Sequence, residues 1–186
     1  MNRTLTDIEL WTAFKTGDEA AFERLFNQYY GLLYNYGSKF CPAKEMLEDC
    51  IQDLFLDLWN SKSQNPVVSV KVYLLKALKY KIYKVVSRNN KNELRDFTYD
   101  GELAFEFSHE NFIVSLEEST ERYDKLLRCL QQLTNRQREV VYLKIYKNLS
   151  YEEVAELMQI NYQATRNLLS QAMKSLKQHF NSLPVH

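Results

Sequence analysis

Glycine and proline are scarce, with four and three in 186 residues, which excludes collagen-like, Gly-rich and Pro-rich disordered classes. Cysteine is scarce too. Cys41, Cys50 and Cys129 are irregularly spaced and lack nearby histidines, so neither a disulfide framework nor a zinc site is expected, and all three read as small buried apolar residues. No apolar run approaches the roughly 18 residues that span a bilayer. The start, Met1-Asn2-Arg3-Thr4, leads into an acidic amphipathic stretch without an apolar signal core, so no membrane insertion is expected and the protein is placed in the cytoplasm. No run of four to eight residues alternates as a strand should. Net charge is also missing: 24 basic and 24 acidic residues sum to zero. A zero sum argues against nucleic acid only where the charge is evenly spread.

It is not evenly spread. From Asp18 to Ser61 eight acids face three bases. Lys71 to Asn92 holds seven bases and no acid, and Glu93 to Asp124 then carries ten acids against Arg95 and Arg122. Beyond that the chain is mildly basic. With 45% hydrophobic and 26% charged residues, and 23 tyrosines and phenylalanines together, it can build one core or two small ones.

Helical periodicity dominates. Thr6-Asp7-Ile8-Glu9 reads as a capping box opening a short helix that Gly17 can end. Asp18 caps a long helix whose apolar residues follow a three-four spacing up to Cys41-Pro42. A third helix runs from about Ala43 to Asn60 and a fourth from about Val67 to Arg88. Residues 93–118 lose the pattern and read as an acidic linker. Four more helices follow: Ser119 to Leu133, Thr134 as cap with Gln137 to Tyr146, Ser150 as cap with Glu153 to Met158, and Asn161 to about Phe180. The expected fold is all-α: a domain over 1–92 and a helix-turn-helix domain over 119–186, joined by the linker.

The third helix stacks Glu45, Asp49, Asp53 and Asp57 at successive i,i+4 steps, each like-charge pair costing roughly 0.2 to 0.5 kcal/mol. Either Lys76, Lys79 or Lys84 of the next helix neutralises them, or a basic partner does. The fourth helix interleaves bases with Tyr73, Tyr80 and Tyr83. Ammonium groups that track phosphates, beside rings that stack on unpaired bases, suit single-stranded nucleic acid; the alternative is a solvated basic face over core tyrosines. Ser150 to Met158, a turn at Gln159-Ile160-Asn161 and a following helix without acids form a helix-turn-helix pattern. Thr165, Leu169, Ala172 and Leu176 should face inward, leaving Gln163, Arg166, Asn167, Ser170, Gln171 and Lys174 for a major groove, with Arg166 and Asn167 in the first two turns.

Two segments carry a resemblance. Glu48 to Trp59 (EDCIQDLFLDLW) is similar to the E-D-x-x-Q-[DE]-x-F-x-x-x-W core-binding helix of the bacterial sigma-70 family, in particular its two-domain extracytoplasmic function (ECF) group. Leu133 to Val141 (LTNRQREVV) with Leu149 to Ala155 (LSYEEVA) is similar to that family's L-x-x-R-x-R-E-V and L-S-Y-x-E-[IV]-A. The resemblance implies that Asp49, Gln52 and Asp53, with Asp57 on the same stack, meet the clamp of the largest subunit of core RNA polymerase. It implies that the helix bearing Lys76, Lys79, Tyr80, Tyr83, Lys84 and Arg88 melts and holds the minus-ten element, and that the last helix, with Arg136, reads the minus-thirty-five element. The family's linker enters the active-site and RNA-exit channel, and its members also meet the polymerase flap, promoter DNA and an anti-sigma factor. The family often has Asn, Asp and Arg where Tyr80, Lys84 and Ser87 stand here, Gly in place of Gln159, and Arg in place of Gln171.

A helix-turn-helix regulator acting without polymerase is the alternative, although it leaves the acidic stack unexplained. An enzyme is not indicated. His109, His179 and His186 lie in the linker or near the C-terminus, no Gly-rich phosphate loop occurs, and no nucleophile has a base at recognisable spacing, so no cofactor or metal is expected.

Overall fold

The computed structural model describes residues 6–61, 67–89, 103–107 and 120–182. Among them are eight α-helices and no strand, and the chain divides into two units, Met1–Phe97 and Thr98–His186. The all-α expectation holds.

The first unit contains α1 (Asp7–Lys15), α2 (Glu19–Gly37), α3 (Lys44–Ser61) and α4 (Val70–Asn89). Thr6 and Glu9 close the expected capping box on α1, and the Asp18 carboxylate accepts the Ala21 amide at the start of α2. Between them Gly17 takes φ 96°, which a side chain would resist. The Asp7 carboxylate then ties α1 to α2, accepting hydrogen bonds from the Tyr29 hydroxyl and, at 2.6 Å, from Gln28 Nε2. Burial, first, and the Asp7 hydrogen bond and charge push the Tyr29 phenol well above its ordinary pKa, so it stays a donor.

α2 ends four residues before Cys41. The amides of Phe40 and Cys41 both turn back to the Gly37 carbonyl at 3.0 Å, so Phe40 and Cys41 stay buried off the helix axis. Gly37 is where α2 meets the next two helices most closely: a Cβ there would collide with Leu47 and lie 3.2 Å from Leu78 Cδ2 and 3.3 Å from Ile82 Cδ1. Leu33, Leu47, Ile51, Leu74, Leu78 and Ile82 form the buried centre. Cys41, Cys50 and Cys129 are buried thiols, as an apolar reading of them expects.

The second unit contains α5 (Thr120–Gln131), α6 (Asn135–Val141), a π-helical turn (Tyr142–Tyr146), α7 (Tyr151–Met158) and α8 (Tyr162–Ser182). Thr134 and Ser150 both close capping boxes. The α-helix expected up to Tyr146 widens after Val141, so that the Lys147 amide bonds five residues back to Tyr142 O at 2.9 Å. α8 packs against α5, α6 and α7.

Of the stretch 93–118, only 103–107 is described, and the rest lies outside the described residues. Within this short piece Phe105 belongs to the core, while Ala104 and Glu106 are exposed. Phe105 is 0% exposed, its ring 5.5 Å from that of Tyr142. Its amide donates to Asn135 Oδ1 at 3.1 Å and its carbonyl accepts from Arg138 Nη1 at 2.7 Å, while Arg138 Nε also holds Leu133 O at 3.0 Å. Phe105→Ala should lower the unfolding free energy of the second unit by about 3–5 kcal/mol. Trp11 and Trp59, the chain's two tryptophans, sit in the first unit. Denaturation followed by circular dichroism should therefore shift while the tryptophan fluorescence transition stays in place.

Candidate nucleic-acid interface

α3 buries Leu47, Cys50, Ile51, Leu54, Phe55 and Leu58. Helical geometry then turns Glu45, Asp49, Gln52 and Asp53 outward, and all four are exposed. Leu56 shares this face at 57% exposure; its i−4, i−3 and i+4 neighbours are Gln52, Asp53 and Asn60. Sequence periodicity missed it because Leu56 adjoins the apolar stripe.

The acids part company at Asp57. Lying on the edge of α3 that faces α4, its carboxylate meets Lys81 Nζ at 2.7 Å. Glu45, Asp49 and Asp53 form no ion pair with any described residue. Internal neutralisation thus reaches one acid of four, and through Lys81 rather than Lys76, Lys79 or Lys84. Lys79 lies over the Phe40 ring at 5.3 Å and Lys84 over the Tyr80 ring at 5.4 Å.

On α4, Lys76, Tyr80, Tyr83 and Lys84 fall within about a third of the helix circumference and are half-buried. Lys79 stands apart on the side towards Phe40. Arg88 belongs to α4, but its side chain lies outside the described residues. A cleft of about 300 Å³ separates α3 from α4, lined by Asp53, Asp57, Tyr73, Tyr80, Lys81 and Lys84 among others. Tyr73 is half-buried there with its ring edge-on to Trp11, and burial pushes its phenol up. Tyr73 packs on Trp11, and both Tyr73 and Tyr80 line the cleft.

In the second unit α7 and α8 form the helix-turn-helix. Thr165, Leu169 and Ala172 are buried and Leu176 half-buried, while Gln163, Arg166, Asn167, Ser170, Gln171 and Lys174 are all exposed. Asn161 caps α8 by accepting the Ala164 amide at 2.7 Å, and Gln163 Nε2 donates to Asn167 Oδ1 at 3.0 Å. Arg136 is exposed in the first turn of α6. Tyr162, which sequence reading passed over as the first residue of the helix, is 43% exposed beside this face.

Two family models match the chain: sigma-70 region 2 over residues 25–92 and sigma-70 region 4 over residues 123–176. The chain belongs to the sigma-70 family. Region 2 thus takes in most of α2 with all of α3 and α4, and region 4 takes in the helix-turn-helix. This sigma-70 chain is a transcription initiation factor. Its fold is similar to that of CnrH, solved in complex with the cytosolic domain of CnrY, with a TM-score of 0.64 and 16% identity over 96% of this chain and 99% of that one. It is also similar to the sigma factor RpoE in complex with the anti-sigma factor NepR from Bartonella quintana, with a TM-score of 0.59 and 18% identity over 88% and 98% of the two chains. The PhyRSL–NepR complex from Sphingomonas sp. Fr1 gives 0.60 and 13% over 89% and 92%. No curated protein sequence matches the chain. Among the described residues of this sigma-70 protein, no helix is long and apolar enough to cross a membrane, and no group of three metal-binding side chains is assembled.

The turn before α8 carries strain. Gln159 adopts φ 55° and ψ 45°, the left-handed region, with its side chain exposed. A non-glycine residue there costs roughly 1 kcal/mol. Gln159→Gly should therefore raise the stability of the region 4 unit by about that amount, read as a higher denaturation midpoint with the slope unchanged.

Proposed function

We propose that this chain is an ECF-type sigma factor, acting without catalysis of its own, that joins core RNA polymerase and carries it to promoters in the cytoplasm. Asp49, Gln52 and Asp53 of α3 meet the clamp of the polymerase largest subunit, with Leu56 as the apolar centre of the contact. Asp57, held by Lys81, lies at its edge. The region 4 unit meets the flap. On α4, Lys76, Tyr80, Tyr83 and Lys84, with Lys79 and Arg88 on neighbouring sides, hold the melted minus-ten strand by phosphate attraction and ring stacking. Arg136 and the exposed face of α8, from Gln163 to Lys174, read the minus-thirty-five element. Residues 1–92 and 119–186 are the two working domains, and the acidic residues of 93–118 enter the polymerase channel.

The unpaired acids of α3 carry this reading. Like charges at i,i+4 work against the helix, and an apolar centre within a charged rim is the anatomy of a protein interface. A helix-turn-helix regulator acting alone has no use for such a face. CnrH and RpoE are solved with CnrY and NepR bound, which supports an anti-sigma factor as a further partner of this chain.

Asp49→Lys combined with Asp53→Lys should weaken binding to core polymerase at least tenfold while helical content stays the same, since both side chains are exposed. Unchanged affinity in pull-down or titration with core enzyme sinks the assignment. Tyr80→Ala should impair open-complex formation more than recruitment to duplex promoter, because only unpaired bases stack. Permanganate reactivity of unpaired thymines against closed-complex footprinting measures the difference, and equal losses contradict the role given to α4.

A further inference from the structure

The two helices of the helix-turn-helix each begin with a tyrosine, and the two rings touch. Tyr151 opens α7 after the Ser150 cap, and Tyr162 opens α8 after Asn161. Their centroids lie 5.7 Å apart at 64°, an edge-to-face contact. Each ring has a cation over it. Lys144 Nζ sits 4.7 Å from the Tyr151 centroid and is fixed by donating to Leu149 O at 2.8 Å. The Arg166 guanidinium carbon lies 6.0 Å from the Tyr162 centroid. The result is a relay of Lys144, Tyr151, Tyr162 and Arg166 that runs from the π-helical turn to the exposed face of α8. Its inner end is anchored to backbone, and its outer end is a long, exposed side chain.

An arginine on an exposed helix face has several rotatable bonds to fix before it can form a bidentate contact, and freezing them weakens recognition. A ring already beneath the guanidinium removes part of that loss. The geometry points to Tyr162 as a positioning residue: it holds Arg166 poised for one base pair of the upstream promoter element, and Tyr151 and Lys144 hold Tyr162. This rests on the reading of α8 as the helix that enters the major groove. Tyr162 thereby sets specificity at a base pair through Arg166, without itself reading a base edge.

The test uses the full chain with core polymerase, bound to duplexes whose minus-thirty-five segment is randomised and then sequenced. Arg166→Ala should flatten the preference at one base-pair position. Tyr162→Leu, which keeps an apolar side chain but removes the ring, should weaken the preference at that same position roughly two- to fivefold. Tyr162→Phe should leave it within about 1.5-fold, since the ring face and not the hydroxyl does the holding. In an Arg166→Ala background, Tyr162→Leu should add nothing further. A loss from Tyr162→Leu that persists without Arg166, or an equal loss from Tyr162→Phe, overturns the positioning role while leaving α8 as the DNA-reading helix. No effect of Arg166→Ala at any position overturns both.

Discussion

Each helix has one apolar stripe to bury, and burying it decides where every charge on that helix must go. α3 shows the constraint at its tightest. Leu47, Ile51, Leu54 and Leu58 are all held in the centre of the first unit, and a period of about 3.6 residues then leaves Asp49 exposed and Asp53 lining the cleft towards α4 without an ion pair to any described residue. Gly37 reinforces this, because the absent Cβ lets α2 approach Leu47, Leu78 and Ile82 closely enough to fix both partner helices. Of the four stacked acids only Asp57, on the edge, forms an ion pair with a described lysine, while Glu48 beside the stack meets Lys44 at 3.8 Å. The acidic face is therefore left by core packing with Glu45, Asp49 and Asp53 in no ion pair among the described residues, and the proposed contact with core polymerase is what would pair them.

The second unit obeys the same constraint with two helices of only seven and eight residues, α6 and α7, so helix termini matter more there. Three of its α-helices begin at side-chain caps, Thr134, Ser150 and Asn161, which satisfy first-turn amide groups that would otherwise have no partner within the helix. The π-helical turn between α6 and α7 inserts the extra residue that swings Ile145 and Tyr146 to 60% and 42% exposure and brings Lys144 round to Leu149 O. That rotation is also what places a cation over Tyr151. The conformation of the connection and the poise of Arg166 are thus linked through a single ring contact.

Most of this fold was legible in the sequence, for identifiable reasons. Capping boxes and a three-four apolar spacing are local signals, and they located the eight described helix starts to within about three residues and the inward face of α8 at Thr165, Leu169 and Ala172. What escaped depends on contacts between distant residues. Nothing local distinguishes Phe105 from the other isolated aromatics of an acidic stretch; it is core because Asn135 and Arg138, some thirty positions on, bond its backbone. Lys81 was overlooked as the partner of Asp57 because the angle at which α4 crosses α3 cannot be read from either helix alone. Leu56 was passed over because it falls between the paired positions of the apolar stripe, and nothing in its own side chain says that it points outward.

Several departures from local rules lie on exposed side chains. Repulsion along α3, an exposed leucine among acids and a left-handed glutamine ahead of α8 each oppose folding by a modest amount. A small helical domain has only about 5–15 kcal/mol of stability in all, so three such features are a sizeable fraction of it. Sequences tolerate such conflicts where something other than the fold constrains the residue. Gln159 differs from the other two in that its strain is conformational, and no binding event relieves it. On α3, by contrast, the repulsion and the exposed leucine both disappear when a basic, partly apolar surface covers them. The energy withheld from folding the first unit is then recovered on association, which makes α3 suited to a contact that must form and later release.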